Sequence, residues 1–255
     1  MKIVTWNVNS VKARHERLLS WLERHQPDVL CLQELKCVEE KFPALEVRAL
    51  GYEFAAYGQK TYNGVAILSR TPISEVTRGF DDGVEDPQAR LITAQVQGVH
   101  IICGYFPNGG EVGSDKYIYK LAWMKRLNRW VQKHCDLTKD VAICGDYNIA
   151  TLDSDVNRMH EWGDGSMCSP EGREALQELR EMGFIDAFQK YHPEGGVYSW
   201  WDYRQLGFPK NNGLRIDHIY ATESLATRST DAYVDRDERK GKKPSDHAPV
   251  VVEFS

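Results

Sequence analysis

The sequence has no long apolar run, and its first residues do not resemble a secretory signal peptide. A membrane-spanning helix needs roughly 20 consecutive apolar residues, and no stretch approaches that length. Met1 and Lys2 lead directly into IVTWNV, without an apolar segment that ends in a small-residue cleavage site. We therefore expect a cytoplasmic protein without a membrane partner.

Paired cysteines are also absent. The six cysteines form no CxxC pair, and Cys31, Cys103 and Cys144 each lie in an apolar, strand-like run. Free cysteines in such runs are typical core residues. We interpret them as reduced, with no role in disulfides or zinc sites.

An excess of positive charge is absent as well. The formal net charge is −5, which argues against binding to nucleic acid through bulk charge. One local exception is RDERKGKKPSDH, where five cationic residues precede the pair Asp246 and His247. These five are Arg236, Arg239, Lys240, Lys242 and Lys243. They could contact a phosphate backbone, and a solvated loop explains them equally well.

What is present indicates a globular protein. Of the 255 residues, 42% are apolar, which is enough for a sizeable core, and no low-complexity linker divides the chain. We therefore expect one domain over residues 1–255, acting as a monomer.

Helical and strand patterns alternate along the chain. A strand KIVTWNV, a helix from about Lys12 to His25 and a strand VLCLQE form a βαβ beginning, and residues 52–106 suggest a meander of short strands. A helix from Lys116 to His134 and the strand VAICGD follow. A helix capped by Ser169 and ended by Gly183 precedes strands at YSWWDY, LRIDHIYA and APVVVEF. Groups of strands separated by helices predict two sheets packed face to face, with helices outside.

Polar side chains gather where the predicted strands end. Six strands end or begin at such residues: Asn7; Gln33 and Glu34; Tyr105; Asp146 and Asn148; Asp217; and Asp246 and His247. Any one of them could be a cap or a turn residue. Together they predict a site, because ligands and catalytic groups of α/β proteins collect at strand ends.

The residue types restrict the chemistry of that site. Carboxylate and amide oxygens without a thiolate suit Mg²⁺ or Mn²⁺ better than Zn²⁺. A hydrolase with a serine triad would also use an Asp–His pair, but no G-x-S-x-G segment supplies the nucleophile. The sequence therefore favours metal-assisted chemistry on a phosphate.

Taken together, the motifs resemble the exonuclease III family of DNA-repair nucleases, within the superfamily that includes deoxyribonuclease I. The resemblance extends over the whole chain: WNVNS, QPDVLCLQELK, YNGVAILS, GYFPNGG, GDYNIA, SPEGRE, YSWWDYR, GLRIDHI and PSDHAPV. It implies a four-layer α/β sandwich of two mixed sheets with helices outside. It also implies Mg²⁺-dependent hydrolysis of double-stranded DNA, on the 5′ side of abasic sites or at 3′ ends.

The resemblance implies two sets of metal ligands. The main set would be Glu34, Asn7 and Asp246. A second set would be Asp146, Asn148 and His247.

The resemblance also implies catalytic and DNA-binding roles. Asp146 would activate or orient water beside Asn148, and His247, held by Asp217, would contact the scissile phosphate near Tyr105. The residues expected to bind DNA are Lys116 and a group that lines a pocket for a baseless sugar: Trp200, Trp201, Leu214 and Ile216. At least one of the two tryptophans could instead be a core residue.

Two positions depart from the family pattern. Glu111 stands where animal members carry an arginine that inserts into DNA, and Met167 stands where abasic-site nucleases often carry a small residue. A bulky side chain at Met167 would favour 3′-end processing over abasic-site cleavage. Two alternatives remain: a phosphatase or phospholipase of the same superfamily, and a non-catalytic nucleic-acid-binding descendant.

Overall fold

The computed structural model describes residues 1–255. Twelve strands occur along the chain: β1 (Lys2–Asn7), β2 (Val29–Gln33), β3 (Glu53–Tyr57), β4 (Val65–Ser69), β5 (Ile73–Arg78), β6 (Leu91–Val96), β7 (Val99–Tyr105), β8 (Val141–Asp146), β9 (Phe184–Asp186), β10 (Asp217–Thr222), β11 (Ser229–Val234) and β12 (Val250–Phe254). The α-helices are α1 (His15–His25), α2 (Ala44–Ala49), α3 (Asp115–His134), α4 (Met159–Trp162), α5 (Pro170–Glu181) and α6 (Glu223–Ala226).

The strands form two mixed sheets of six strands each. The first has the order β11-β12-β1-β2-β4-β3, and the second has the order β5-β6-β7-β8-β10-β9. In each sheet one parallel pair, β1 with β2 or β7 with β8, is joined through a long helix, α1 or α3. This arrangement confirms the predicted pair of mixed sheets.

Apolar side chains fill three layers. One cluster lies between the sheets and includes Ile3, Ile101 and Ile219. A second packs α1 against the first sheet, with Leu18, Trp21 and Leu22 buried as their helical spacing predicts. A third packs α3 and α5 against the second sheet. The sheets are therefore enclosed by helices, which confirms the sandwich architecture.

The strand register brings the polar strand ends together. Asn7 lies beside Gln33 in the parallel pair β1–β2, and Tyr105 lies beside Asp146 in the parallel pair β7–β8. Asp217, at the start of antiparallel β10, lies directly opposite Asp146. Backbones approach closely here, since a Cβ on Gly145 would lie 1.9 Å from the Gly104 carbonyl oxygen. The side chains therefore converge at one edge of the paired sheets.

Some predicted elements differ from the structure. YSWWDY is not a strand: Trp200 forms isolated bridges to Leu214 and His247, and the flanking residues are irregular. α1 begins at His15 and not near Lys12. The sequence pattern also missed α2 and the short strand β9, because six and three residues carry too little periodicity.

A buried network of ion pairs around Arg215 stabilises the second sheet close to the polar strand ends. The Arg215 guanidinium lies 2.8 Å from carboxylate oxygens of both Asp155 and Asp186. His218 accompanies it, with Nε2 2.8 Å from the Ile149 carbonyl oxygen. Charges taken out of water need such pairing. The network fixes the loop after β8 against β9 and β10.

None of the helices combines the length and the apolar composition that crossing a membrane requires.

Candidate active site

A histidine between two carboxylates occupies the point where the sheets meet. Nδ1 of His247 lies 2.9 Å from the nearer carboxylate oxygen of Asp217, and Nε2 lies 3.7 Å from an oxygen of Asp146. Ligand atoms of all three residues lie within 4.8 Å of one another. His247 belongs to the segment before β12 in the first sheet, whereas both aspartates belong to the second sheet. The cluster therefore joins the two halves of the sandwich.

Backbone and hydroxyl contacts hold this histidine in place. The Ser199 hydroxyl donates at 2.6 Å to the same Asp217 oxygen that lies nearer to His247. The His247 amide donates to the Ser245 hydroxyl, which donates in turn to the Asn7 carbonyl at 2.7 Å. These contacts fix the ring orientation, and Asp217 selects the form that carries a proton on Nδ1.

Burial and neighbouring charge set the protonation of the cluster. Burial lowers the pKa of His247, but Asp217 and Asp146 outweigh it and raise that pKa to about 10. Burial raises the pKa of Asp146 to about 7, although the cationic His247 opposes the shift and Asp217 reinforces it. At neutral pH the cluster thus combines an imidazolium with a carboxylate that can take up a proton.

Glu34 stands next to this cluster and is contacted on both oxygens. One oxygen accepts from the Asn7 amide at 3.0 Å and from the Tyr105 hydroxyl at 2.8 Å, and the other lies 2.8 Å from the Lys36 ammonium. Burial raises the pKa of Glu34, but the hydrogen bonds from Lys36 and Asn7 outweigh it and lower that pKa. Glu34 is therefore a partly buried carboxylate that stays ionised.

Asn7 links Glu34 to the buried cluster through hydrogen bonds that its side-chain nitrogen donates. Its side-chain nitrogen donates to Glu34 and, at 2.9 Å, to Asp146, while its oxygen accepts the Asn9 amide. A metal ligand must present its oxygen. In this structure Asn7 donates hydrogen bonds to two carboxylates, and its role as a metal ligand stays a prediction.

Asp246 reaches the same region through Asn9. The Asn9 side-chain nitrogen donates to Asp246 at 2.9 Å, and its oxygen accepts from Lys36 at 2.6 Å. The second Asp246 oxygen accepts from the Trp200 indole at 3.0 Å. Burial raises the pKa of Asp246, but His247 and these two donors outweigh it and lower the pKa. Asp246 is thus connected to Glu34 through a chain of polar side chains.

The donor set at this edge fits a hard divalent cation. Its members are carboxylates and amides, and no thiolate is among them. The oxygens of Glu34 and Asn9 already hold one cation, the Lys36 ammonium. Glu34 and Asp246 are both ionised and are linked through Lys36 and Asn9, so they are side chains that could hold such an ion.

Asn148 follows Asp146 on a tightly held loop. Its backbone amide donates to Asp146 at 2.9 Å. Its side chain turns away, because the amide nitrogen donates to the Phe106 carbonyl and the amide oxygen accepts from Asn108. Asp146, Asp217 and His247 therefore form the group of titratable side chains that lie close together, and the role of Asn148 in a second metal set stays a prediction.

Part of the group predicted to line a pocket forms a buried apolar cluster beside the site. Trp200, Leu214 and Ile216 pack together with Ala150, Val156 and Cys168. Met167 is half-buried against this cluster. This apolar cluster lies beside Asp246, because Trp200 donates its indole hydrogen to that carboxylate.

Trp201 was predicted in the same pocket, and that assignment is wrong. It is fully buried in a separate cluster with Tyr198 and Ala248 and packs edge-on against Phe208. Adjacent side chains of an extended segment point to opposite sides. Trp200 and Trp201 therefore cannot both face the same cluster.

The two remaining positions from the sequence analysis, Lys116 and Glu111, lie on the protein surface. Lys116 is exposed in the first turn of α3, where its side chain lies over Gly110. Glu111 is also exposed. A cavity of about 670 Å³ between residues 82–88 and α3 contains none of the predicted site residues.

Sequence reasoning missed four polar residues that organise the site: Asn9, Lys36, Asn108 and Ser199. Asn9 and Lys36 stand inside the motifs WNVNS and QELK, so the motifs held a signal for them. Asn108 and Ser199 stand inside GYFPNGG and YSWWDYR, but they act through contacts with distant segments, and the motifs do not reveal those partners.

Comparison with known proteins agrees with this geometry. Residues 4–247 match the model of the endonuclease/exonuclease/phosphatase family. Exodeoxyribonuclease III of Haemophilus influenzae is 38% identical over 266 residues, which cover all of both chains. An AP endonuclease from Archaeoglobus fulgidus superimposes with a TM-score of 0.97 at 38% identity, covering 100% of this chain and 99% of that one.

A DNA-bound structure is similar as well. The 3′ phosphatase from Neisseria bound to product DNA hairpin superimposes with a TM-score of 0.96 at 40% identity, covering 100% of this chain and 99% of that one. The family match and the end-to-end likeness lead to one conclusion: the chain belongs to the endonuclease/exonuclease/phosphatase family, in its exonuclease III branch.

Proposed function

We propose that this protein is a DNA-repair nuclease that uses Mg²⁺, with Mn²⁺ as the alternative, to hydrolyse phosphodiesters of double-stranded DNA. Its substrates are abasic sites, cleaved on the 5′ side, and 3′ ends. The observation that carries the proposal is the buried His247 between Asp217 and Asp146, next to the ionised Glu34. The relatives support it through their names, exodeoxyribonuclease III and AP endonuclease.

In this proposal Asp146 prepares the attacking water. Its oxygens accept from the Asn148 amide and the Asn7 side chain, which leaves lone pairs free for a water molecule. A general base works best when its pKa approaches the operating pH, and burial raises the pKa of Asp146 to about 7. Asp146 therefore removes or orients the proton of the water that attacks phosphorus.

His247 stabilises the charge that grows on the phosphoryl oxygens. It is cationic because Asp217 and Asp146 overcome burial and raise its pKa. A fixed cation in a water-poor site stabilises developing negative charge more strongly than solvent does. Asp217 holds the ring through Nδ1, so the Nε2 hydrogen points towards the side of Asp146, where the phosphate would lie.

Tyr105 supplies a neutral donor near the leaving oxygen. Burial and the charges of Glu34 and Asp146 raise the pKa of its phenol well above the usual value. It therefore keeps its proton, which Glu34 accepts as a hydrogen bond in this structure and a leaving oxygen can accept in a complex.

Glu34 and Asp246 would hold the divalent cation. When bound, the cation neutralises charge on the scissile phosphate. Both side chains are ionised without it, since their pKa values are lowered. Asn7, which donates to Glu34 and Asp146, orders these carboxylates relative to each other.

The apolar pocket would select the damaged nucleotide. Extruding a baseless sugar from the duplex costs little free energy, because no base stacking is lost. A small apolar pocket also excludes a sugar that still carries a base. In this proposal Trp200, Leu214 and Ile216, which pack in one apolar cluster, would line the pocket, and Met167, half-buried against that cluster, would narrow it. Exposed Lys116 would contact the DNA backbone.

We also propose that residues 1–255 form a single domain that works as a monomer in the cytoplasm. The core cluster between the sheets includes residues from Ile3 to Phe254, which supports one folding unit. The end-to-end match with the Haemophilus relative supports the same unit. In a bacterial cell the DNA substrate lies in the cytoplasm.

The direct test offers three duplexes: one with an internal abasic site, one with a recessed 3′ end and one with a 3′-phosphate. We expect cleavage with Mg²⁺ and none with EDTA, because the phosphate charge then has no divalent counter-ion. Gel separation of labelled strands measures it. Absence of metal-dependent cleavage on all three duplexes would refute the proposed function.

Asp146→Asn should remove cleavage and keep DNA binding. The substitution deletes the base but no phosphate contact, so we expect kcat to fall by about 100- to 10,000-fold while Kd for uncleaved duplex stays close to that of the native protein. The matched control is Asp153→Asn, an exposed aspartate on the following loop. A large rise in Kd would contradict the role of Asp146 as a base.

Met167→Gly should shift the balance between the two substrates. Removing the side chain widens the pocket, so we expect the ratio of abasic-site cleavage to 3′-end removal to rise by about tenfold. Met167→Leu preserves the volume and should keep the native ratio. An unchanged ratio in Met167→Gly would show that Met167 does not control access to the pocket.

A further inference from the structure

Lys120 is a fully buried lysine that no role described above uses. It lies on the inner side of α3, with no exposed surface. Its ammonium donates to three backbone carbonyls: those of Asn148 at 2.8 Å, Ser166 at 2.9 Å and Asn108 at 3.1 Å. Burial lowers the pKa of Lys120 to about 7, and Asp146 opposes that shift. Three carbonyl acceptors match the three hydrogens of an ammonium group, whereas a neutral amine offers two.

The three carbonyls belong to three segments that carry the proposed function. Asn108 is on the loop after β7, Asn148 is on the loop after β8, and Ser166 directly precedes Met167. The segments are 12, 28 and 46 residues from Lys120 along the chain. One side chain thus ties the loop beside Asp146 to the loop that narrows the pocket.

Asn148 depends most on this contact. Its backbone has a φ of 51°, in the left-handed region that asparagine adopts more readily than most residues other than glycine. Every polar group of the residue is bonded: the amide to Asp146, the side-chain nitrogen to the Phe106 carbonyl and the side-chain oxygen to Asn108. The remaining group is its carbonyl, and Lys120 is the donor that it accepts from.

The other two carbonyls have alternative donors. The Asn108 carbonyl also accepts from the Ser166 hydroxyl at 3.0 Å, and the Ser166 carbonyl accepts from the Ser169 hydroxyl at 3.2 Å. Loss of the ammonium would therefore leave the Asn148 carbonyl unpaired while the neighbouring loops keep part of their bonding. The largest expected change is at Asn148, whose amide orients the Asp146 carboxylate.

The loop after β7 packs tightly against the side chain of Lys120. A Cβ on Gly109 would lie 2.7 Å from Cδ of Lys120, so the loop presses directly on the lysine stem. An apolar side chain could fill the same space without the free-energy cost of burying a charge. What an apolar side chain cannot do is direct three carbonyls towards one point.

We propose that Lys120 is a positioning residue that holds Asn148, and through it the Asp146 carboxylate, in the geometry that hydrolysis requires. The inference rests on the proposed nuclease function and adds a residue to it that contacts neither DNA nor the reacting atoms. It predicts an effect on turnover that is larger than the effect on DNA binding.

The test compares Lys120→Met, which keeps the length and removes the donors, with Lys120→Gln, which keeps a shorter donor. Lys125→Met is the control, because Lys125 is an exposed lysine of the same helix. Circular dichroism and thermal unfolding establish a temperature at which each variant is folded. Steady-state kcat and KM are then measured on a duplex with a recessed 3′ end in Mg²⁺.

For Lys120→Met we expect kcat to fall by about 10- to 100-fold, as displacement of a reacting group by an ångström can cost. KM should stay within about threefold of the native value, since no DNA contact is lost. Lys120→Gln should lie between Lys120→Met and the native protein, and Lys125→Met should match the native protein.

Three results would overturn the inference: native kcat in both Lys120 variants, a loss that resides in KM, or failure of both variants to fold. The last result would show that Lys120 maintains stability and does not specifically set loop geometry. An inactive native protein would instead refute the proposed function, so the two failures are distinguishable.

Discussion

The contact of His247 with Asp217 and Asp146 is the interaction on which the site depends. It joins the first sheet, which supplies the histidine, to the second, which supplies both carboxylates. Burial alone would neutralise an imidazole, yet the two carboxylates outweigh it and raise the pKa of His247 to about 10. The fold therefore maintains the imidazolium of His247 in a water-poor place. Its positive charge offsets the repulsion between the two buried carboxylates.

The architecture explains why these residues meet. Parallel pairs β1–β2 and β7–β8 end at the same edge, and antiparallel β10 and β12 begin there. Hydrogen bonds hold the loops at that edge, and the side chains of six strands reach one volume there. Buried donors then fix the loops: Arg215 on the segment around Asp155, Ser245 beside Asn7, and Lys120 below Asn148. Polar groups that carry no reaction thus determine the positions of those proposed to react.

Much of this could be predicted from the sequence, for identifiable reasons. Long apolar strands and amphipathic helices such as α1 carry strong periodicity, so the two-sheet sandwich was predictable. Polar residues at strand ends predicted Glu34, Asp146, Asp217 and His247 at one edge. Side-chain direction was not predictable: Trp201 faces the interior, and Asn7 presents its nitrogen to the carboxylates. Lys120 was missed because a lysine on a helix is usually solvated, and its three acceptors lie up to 46 residues away.

The measurement that tests the central claim most directly is an NMR titration of the His247 ring in EDTA, in the native protein and in Asp217→Asn. Because Asp217 and Asp146 raise the pKa of His247, the native ring should remain protonated through neutral pH and lose its proton only as the pH rises towards about 10. Removing the Asp217 charge should lower that pKa by about one to three units. A native ring that titrates near the usual histidine value, or a pKa that is the same in Asp217→Asn, would contradict the account.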